Sequence, residues 1–577
     1  MIKLFKKLKP YSLPLFFVVL LLLIQTVTQL YLPTMLSKIV DKGIVGKDVN
    51  YIMKIGGYMI GITFIGSIAT ICASFLSSRV AMGFGRDVRR FVFTKTESFS
   101  LAEVDNVGTA SLITRTTNDV TQVQQLLMTI LTMMVVAPLT CVAGIYMAIK
   151  TEPGLSLVLV VSMPLVVIAI LVIGKIGMPR FKAMQSKLDR INKVLRENLT
   201  GIRVVRAFNK QDVEKDRFEE ANYDFTDNAI KVNKIISILM PLLMLILNLT
   251  SVAILWFGAD KINSGAMEVG NLMAFIQYTM QIMFALIMVS MLFIMIPRAA
   301  ASADRINKVL AIEPSIVDPE NSTSNFPEKG SIEFKNVSFA FPGAENNALS
   351  NINFRINPGE TTAIIGGTGS GKSTILNLIS RFYDSTEGEI LVNGTNIKTL
   401  PLELLRSKLG FVPQKAVLFS GTIEDNLKFG KEDASMDDMI HASTVAQSYD
   451  FILNKEDGFN SLVEQGGRNF SGGQKQRLSI ARALIRRPDV YMFDDSFSAL
   501  DFKTDANLRS ALKKETRTAA VLIVAQRINT IKDADNILVI NEGKIVGHGT
   551  HRELLTNCSV YQEIASSQLS KEELENE

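Results

Sequence analysis

The chain is 577 residues long, 47% hydrophobic and only 20% charged, with a formal net charge of +5. That length exceeds what one hydrophobic core supports. The mild positive balance, with no long basic run and no basic–aromatic patch, gives no indication of a nucleic-acid partner and suits the cytoplasmic face of a membrane. Three scattered cysteines (Cys72, Cys141, Cys558) and three histidines (His441, His548, His551) form neither a disulfide framework nor a metal-ligand spacing.

In chain order, the N-terminus reads MIKLFKKLKP and then turns apolar. The apolar run at 13–36 is too long for a signal h-region and no small-residue cleavage pattern follows it, so a retained membrane helix is expected. Five more segments free of Asp, Glu, Lys and Arg follow, near 55–78, 126–149, 155–174, 235–257 and 272–296. Each is long enough to cross a bilayer, which takes about 20 residues. Lys3, Lys6, Lys7 and Lys9 precede the first span, and residues 175–234 hold fourteen Lys and Arg. The positive-inside rule therefore places the N-terminus, the second and fourth connections and everything after 296 in the cytoplasm.

The two long connections, 79–125 and 175–234, contain helix-compatible runs such as FKAMQSKLDRINKVLRENL. Twenty extra helical residues reach about 30 Å past the membrane, so helical hairpins that transmit motion are expected. No ionisable residue lies inside a span, which argues against a proton relay or ion pathway. The last two spans are rich in methionine (Met240, Met244, Met273, Met280, Met283, Met288, Met291 and Met295). Such residues suit adaptable apolar binding, and equally serve as packing filler against lipid or helices.

Pro, Ser, Asn and charges in EPSIVDPENSTSNFPEKG mark 313–330 as a linker between a membrane domain, 1–312, and a second domain, 331–577. The latter alternates β-type runs (SIEFKNVSF, TTAIIG) with helical ones, which indicates an α/β domain. Its strongest motif is GGTGSGKST: Gly366, Gly367, Thr368, Gly369, Ser370, Gly371, Lys372, Ser373 and Thr374. It fits G-x-x-x-x-G-K-[ST] between a strand and a helix. Its backbone amides would close around phosphates, Lys372 would reach the outer ones, and the Ser373 hydroxyl would ligate Mg²⁺. In YMFDDS, residues 490–493 predict a buried strand ending in Asp494, a carboxylate placed to hold the Mg²⁺ of bound ATP.

The third motif, NFSGGQKQR, sets Ser471, Gly472, Gly473 and Gln474 between the phosphate loop and the DD strand, and resembles the signature of ABC transporters. The resemblance covers the whole chain: six spans ahead of one cassette is the layout of an exporter half-transporter. It implies that Phe341 in SFAFP stacks on adenine, where the family more often has Tyr. It also implies that Gln414 in GFVPQ senses Mg²⁺, that Ser498 to Asp501 form the D-loop, and that coupling helices lie near 102–110 and 209–218.

Two positions depart from that pattern. Asp495 stands where the family has the Glu that polarises the attacking water, and Gln526, in VLIVAQR, stands at the switch histidine. A carboxylate one methylene shorter is misplaced by about 1 Å, which costs roughly 10²-fold in rate, and an amide cannot act as an imidazole. With every nucleotide-binding position kept, the pair implies a site that binds ATP and hydrolyses it slowly. Since ABC cassettes share each ATP between one phosphate loop and the other signature, the intact 471–474 could complete an active site on a partner that supplies Glu and His. This is similar to the degenerate-site subunit of heterodimeric bacterial multidrug exporters, as is the lead-in VEQGGRNFSGGQ with Gln465.

The expectation is thus a plasma-membrane, multi-pass subunit that exports amphipathic or apolar compounds using ATP and Mg²⁺. The alternatives are a homodimeric lipid or peptide exporter and, in a different class, an ATP-sensing regulatory subunit that does not transport.

Overall fold

The computed structural model describes residues 1–569, apart from the side chains of 290–294. It forms two compact units: Met1–Thr96 with Ala110–Ala311, and Glu97–Thr109 with the chain from Ile312 onward.

The first unit is helical. Among the described residues six helices are long and apolar enough to cross a membrane: Ile2–Ile44, Val49–Glu97, Thr109–Thr151, Ser156–Thr200, Gln211–Asn263 and Val269–Val289. Lipid offers no partner for backbone amides, so each charge-free run must satisfy its own hydrogen bonds as a helix. Several continue well past the apolar run. Val49–Glu97, at 49 residues, is about 74 Å long, and these extensions are the helical hairpins expected at 79–125 and 175–234.

The second hairpin differs in detail from expectation. Its short turn helix is Ile202–Ala207, and residues 211–218 belong to the first turns of the long helix Gln211–Asn263. The acidic pair Asp212 and Glu214 in that first turn suits a helix start. Ion pairs of Arg190 with Glu220 and Asp224, and of Arg217 with Glu197, link the hairpin's two arms. They are half-exposed and set register more than stability. A more buried pair, the Arg305 guanidinium on both oxygens of Asp119, ties the end of the helix Val269–Ala311 to the returning arm of the first hairpin. Of the methionines, Met283 is buried while Met240, Met244, Met273, Met280 and Met288 are exposed. The Met291 side chain lies outside the described residues.

Among the described residues of the second unit, twelve strands alternate with helices: β1 Ile332–Phe339, β2 Leu349–Ile356, β3 Thr361–Gly366, β4 Glu387–Val392, β5 Thr395–Asn396, β6 Leu409–Val412, β7 Gly421–Thr422, β8 Leu462–Val463, β9 Val490–Asp494, β10 Ala520–Val524, β11 Asn536–Asn541 and β12 Lys544–Gly549. The main sheet runs β12-β11-β3-β10-β9-β6. β6, β9, β10, β3 and β11 are mutually parallel, with β12 antiparallel at the edge. β9 and β10 are buried along their whole length, as unbroken apolar runs in a parallel sheet should be. β2-β1-β4-β5 form a separate antiparallel sheet.

One segment is grouped by packing and not by sequence. The helix Leu101–Val107, at the tip of the first hairpin, belongs to this second unit. Ser100 and Glu103 cap its start reciprocally, and Ala102 packs against the core cluster built on β1, β2 and β4.

Candidate nucleotide site

Four adjacent strands, β3, β10, β9 and β6, end at one edge of the main sheet. Their carboxyl ends carry 366–374, Gln526, Asp494 with Asp495, and Gln414 respectively. In open α/β sheets this edge is where ligands bind.

The phosphate loop is shaped for close backbone approach. Gly371 (φ 103°) and Gly369 (φ 81°) lie in the left-handed region. A Cβ at Gly371 would fall 2.7 Å from Leu349 Cδ2, and one at Gly366 would strike the Ile540 carbonyl oxygen. Around Gly367 and Gly369 nothing lies within 4 Å of an added Cβ, so the loop's inner face stays open. Lys372 Nζ donates to the carbonyls of Gly366 (3.0 Å) and Gly367 (2.7 Å), which holds its ammonium in the curl of the loop. Burial lowers the Lys372 pKa, against the pull of Asp494 and Asp495. The Ser370 hydroxyl is buried without a partner. Thr368 is part of the loop, and Thr374 is buried in the first turn of the helix Lys372–Ile379. An open amide curl, a cation and an orphan hydroxyl fit a polyphosphate.

Ser373 Oγ donates to Asp494 Oδ1 at 2.9 Å, joining the two candidate Mg²⁺ ligands. Burial pushes the Asp494 carboxyl up and Asp495 adds to this, while the Ser373 bond and Lys372 oppose it. A desolvated carboxylate beside a hydroxyl is a donor set suited to a hard divalent cation, which would restore the lost solvation. Gln414, the third candidate ligand, points elsewhere: its Nε2 donates to Asp495 Oδ2 at 3.1 Å.

Asp495 is therefore held from two sides, because Gln526 Nε2 also donates to the same Oδ2, again at 3.1 Å. Asp495 adopts φ 44°, a conformation Asp tolerates better than longer residues, and its amide donates to the Val524 carbonyl on β10. Gln526 is fixed in turn by Gln568, whose side chain donates to the Gln526 carbonyl and accepts from the Ile528 amide. No sequence motif marks Gln568, which lies 42 positions downstream of the group it steadies.

Phe341 is partly exposed and meets Phe339 and Tyr383 edge-on at 4.9 and 5.5 Å. Tyr383, also unmarked in the sequence, donates to Asp105 on the helix Leu101–Val107 at 3.1 Å. Burial and then Asp105 raise its hydroxyl to about 12. The Ser471 side chain caps the helix Gly472–Leu484 reciprocally with Gln474, leaving Gly472 open and Gly473 against the Ala499 carbonyl. Asp501 caps the helix Phe502–Glu515 by accepting from the Thr504 amide, which lowers its pKa. No hydrogen bond among the described residues joins 471–474 to 366–374. The signature and the phosphate loop are separate stations.

Comparison with known proteins agrees with this geometry. The family description "ABC transporter transmembrane region" matches residues 15–301, and "ABC transporter" matches 349–498. The chain is 42% identical over 566 residues to an ABC transporter ATP-binding protein of Mycobacterium tuberculosis (strain ATCC 25618 / H37Rv), covering 97% of each. It is 31% identical to an ATP-dependent lipid A-core flippase of Desulfotalea psychrophila, over 97% of this chain and 98% of that one. A bacterial Atm1-family ABC exporter solved with ATP bound superposes with a TM-score of 0.79 at 25% identity, covering 96% of this chain and 98% of that one.

Proposed function

This chain belongs to the ABC transporter family, as a multi-pass membrane protein with an ATP-binding domain, and from that premise we propose that it is the slow-site half of a heterodimeric exporter. Residues 1–312 act as its membrane domain and 331–577 as its cassette, joined by 313–330, with the N-terminus and cassette in the cytoplasm. Phe341 meets the adenine, 366–374 hold the phosphates, and Ser373 and Asp494, with Gln414 nearby, would hold a Mg²⁺ whose charge offsets that of the phosphates. The signature, 471–474, and Asp501 serve the ATP of a second half-transporter that carries the Glu and His lacking here. The cargo is a small amphipathic molecule drawn from the bilayer or cytoplasm.

The observation that carries this reading is the convergence of the Gln414 and Gln526 amides on Asp495 Oδ2. A general base needs a lone pair free to take the proton of the attacking water. Two donors on Oδ2 occupy the lone pairs of that oxygen and fix the orientation of the short side chain. The side chain is also one methylene short of the family's Glu, while the binding loop is complete. ATP should be held and cleaved slowly. The test is ATPase activity of the purified chain: brisk turnover by this chain alone would sink the proposal. The flippase relative favours a second reading, a homodimeric lipid exporter, for which the same assay gives the opposite result.

A further inference from the structure

The membrane unit contains a cavity of about 490 Å³, within the range that holds a drug-sized ligand. Four helices line it, each with residues at helical spacing. Gln25 and Gln29 come from the first span, Thr70 and Ser74 from the second, Thr132 and Thr140 from the third, and Gln281 from the last. Leu22, Phe284 and Met288 are among its apolar surfaces, and among the described residues no Asp, Glu, Lys or Arg lines it.

The hydrogen-bonding state of these groups is specific. Gln281 Oε1 is buried with no hydrogen-bond partner. The Thr70 and Thr132 hydroxyls spend their protons on their own helices, on the carbonyls of Gly66 (2.8 Å) and Met128 (2.9 Å). Their oxygens remain acceptors toward the cavity. A buried acceptor without a donor is costly, and a ligand N–H that reaches it removes that cost. A charged ligand would gain the same bonds but lose its solvation with no counter-ion to compensate. Three carboxamides in one cavity offer paired N–H and C=O groups, the complement of an amide.

We infer that this cavity is a cargo site for uncharged, amide-rich amphiphiles, such as capped or cyclic apolar peptides, selected by Gln281 with Gln25 and Gln29. The inference rests on the transport reading above and narrows its cargo.

The full-length chain in lipid nanodiscs, without nucleotide, should be titrated with a fluorescent N-acetylated, C-amidated apolar tetrapeptide. Three matched probes run beside it: an ester-for-amide analogue, a free-amine cationic analogue and an alkyl polyol, each corrected for uptake by protein-free nanodiscs. The amide peptide should bind, and ester replacement should weaken it about tenfold or more. Gln281→Leu should weaken the amide peptide by a similar factor and leave the ester analogue unchanged, with Gln25→Leu acting in the same direction. Equal binding of amide and ester probes to the unaltered chain would overturn the inference, as would tighter binding of the cation or the polyol. So would an equal loss for both peptides in Gln281→Leu. Because binding is read without ATP, failure of the transport reading would leave this amide preference intact. Conversely, ATP-driven transport blind to amide content would sink the inference alone.

Discussion

Replacing Asp495 with Glu tests the slow-site reasoning at its source. The added methylene moves the carboxylate outward by about 1 Å, the size of displacement that changes rates by roughly 10²-fold. Gln414 and Gln526 would still be within reach to donate to it, so Asp495→Glu alone should recover only part of that factor, about tenfold. Asp495→Glu with Gln526→His, which also removes one of the two amides at 3.1 Å, should approach the whole of it. Position 495 has φ 44°, and Glu sits there less comfortably than Asp. The variant should therefore lose about 1 kcal/mol of stability and melt about 2–4 °C lower. Asp495→Ala, by contrast, should slow the chain less than about tenfold, since little base catalysis is there to remove. The assay is single-turnover phosphate release from the purified chain, with ATP affinity measured on the same samples. If the double variant binds ATP normally and turns over no faster, or if Asp495→Ala slows the chain by more than about 100-fold, the reasoning is wrong.

Three further outcomes follow from other contacts. Tyr383→Phe should destabilise the second unit by about 1–2 kcal/mol, because it strips the donor from the Asp105 carboxylate. The contribution is present below the ordinary tyrosine value of 10.0 and is lost as pH rises through the folded value of about 12. Melting curves of both forms should differ by a constant amount from neutral pH up to about 10 and converge above 12. Arg305→Gln should cost about 3 kcal/mol in chemical unfolding by leaving Asp119 buried and unpaired, and adding Asp119→Asn should recover much of it. Gln568→Ala should loosen Gln526 and change the single-turnover rate while leaving ATP affinity within about twofold, since it touches no phosphate-binding residue.

Much of the fold was legible because its signals are local. Uninterrupted apolar runs of about 20 residues cross lipid as helices. A glycine-rich loop between an apolar strand and a helix has few other meanings, and the strand ending in Asp494 reads directly from four apolar residues. Contacts across long sequence separations were not legible. The family resemblance implies a coupling helix near 102–110, yet nothing in the sequence shows that Ala102 packs into the cassette core or that Asp105 accepts a hydrogen bond from the Tyr383 hydroxyl. The second turn helix was misplaced by several residues because 209–218 and 202–207 are both short, charged and helix-compatible. At the site, Asp495 and Gln526 stood out as odd residue types. Their sharing of one oxygen with Gln414 is a product of strand order β10-β9-β6, which brings positions 414, 495 and 526 to one edge of the sheet.

The most direct test compares ATP binding with ATP cleavage on the unaltered chain in nanodiscs, without any partner. The account predicts stoichiometric, Mg²⁺-dependent ATP binding, with single-turnover hydrolysis about 100-fold below the roughly 10 s⁻¹ of a typical enzyme. Cleavage at that typical rate by this chain alone would contradict it.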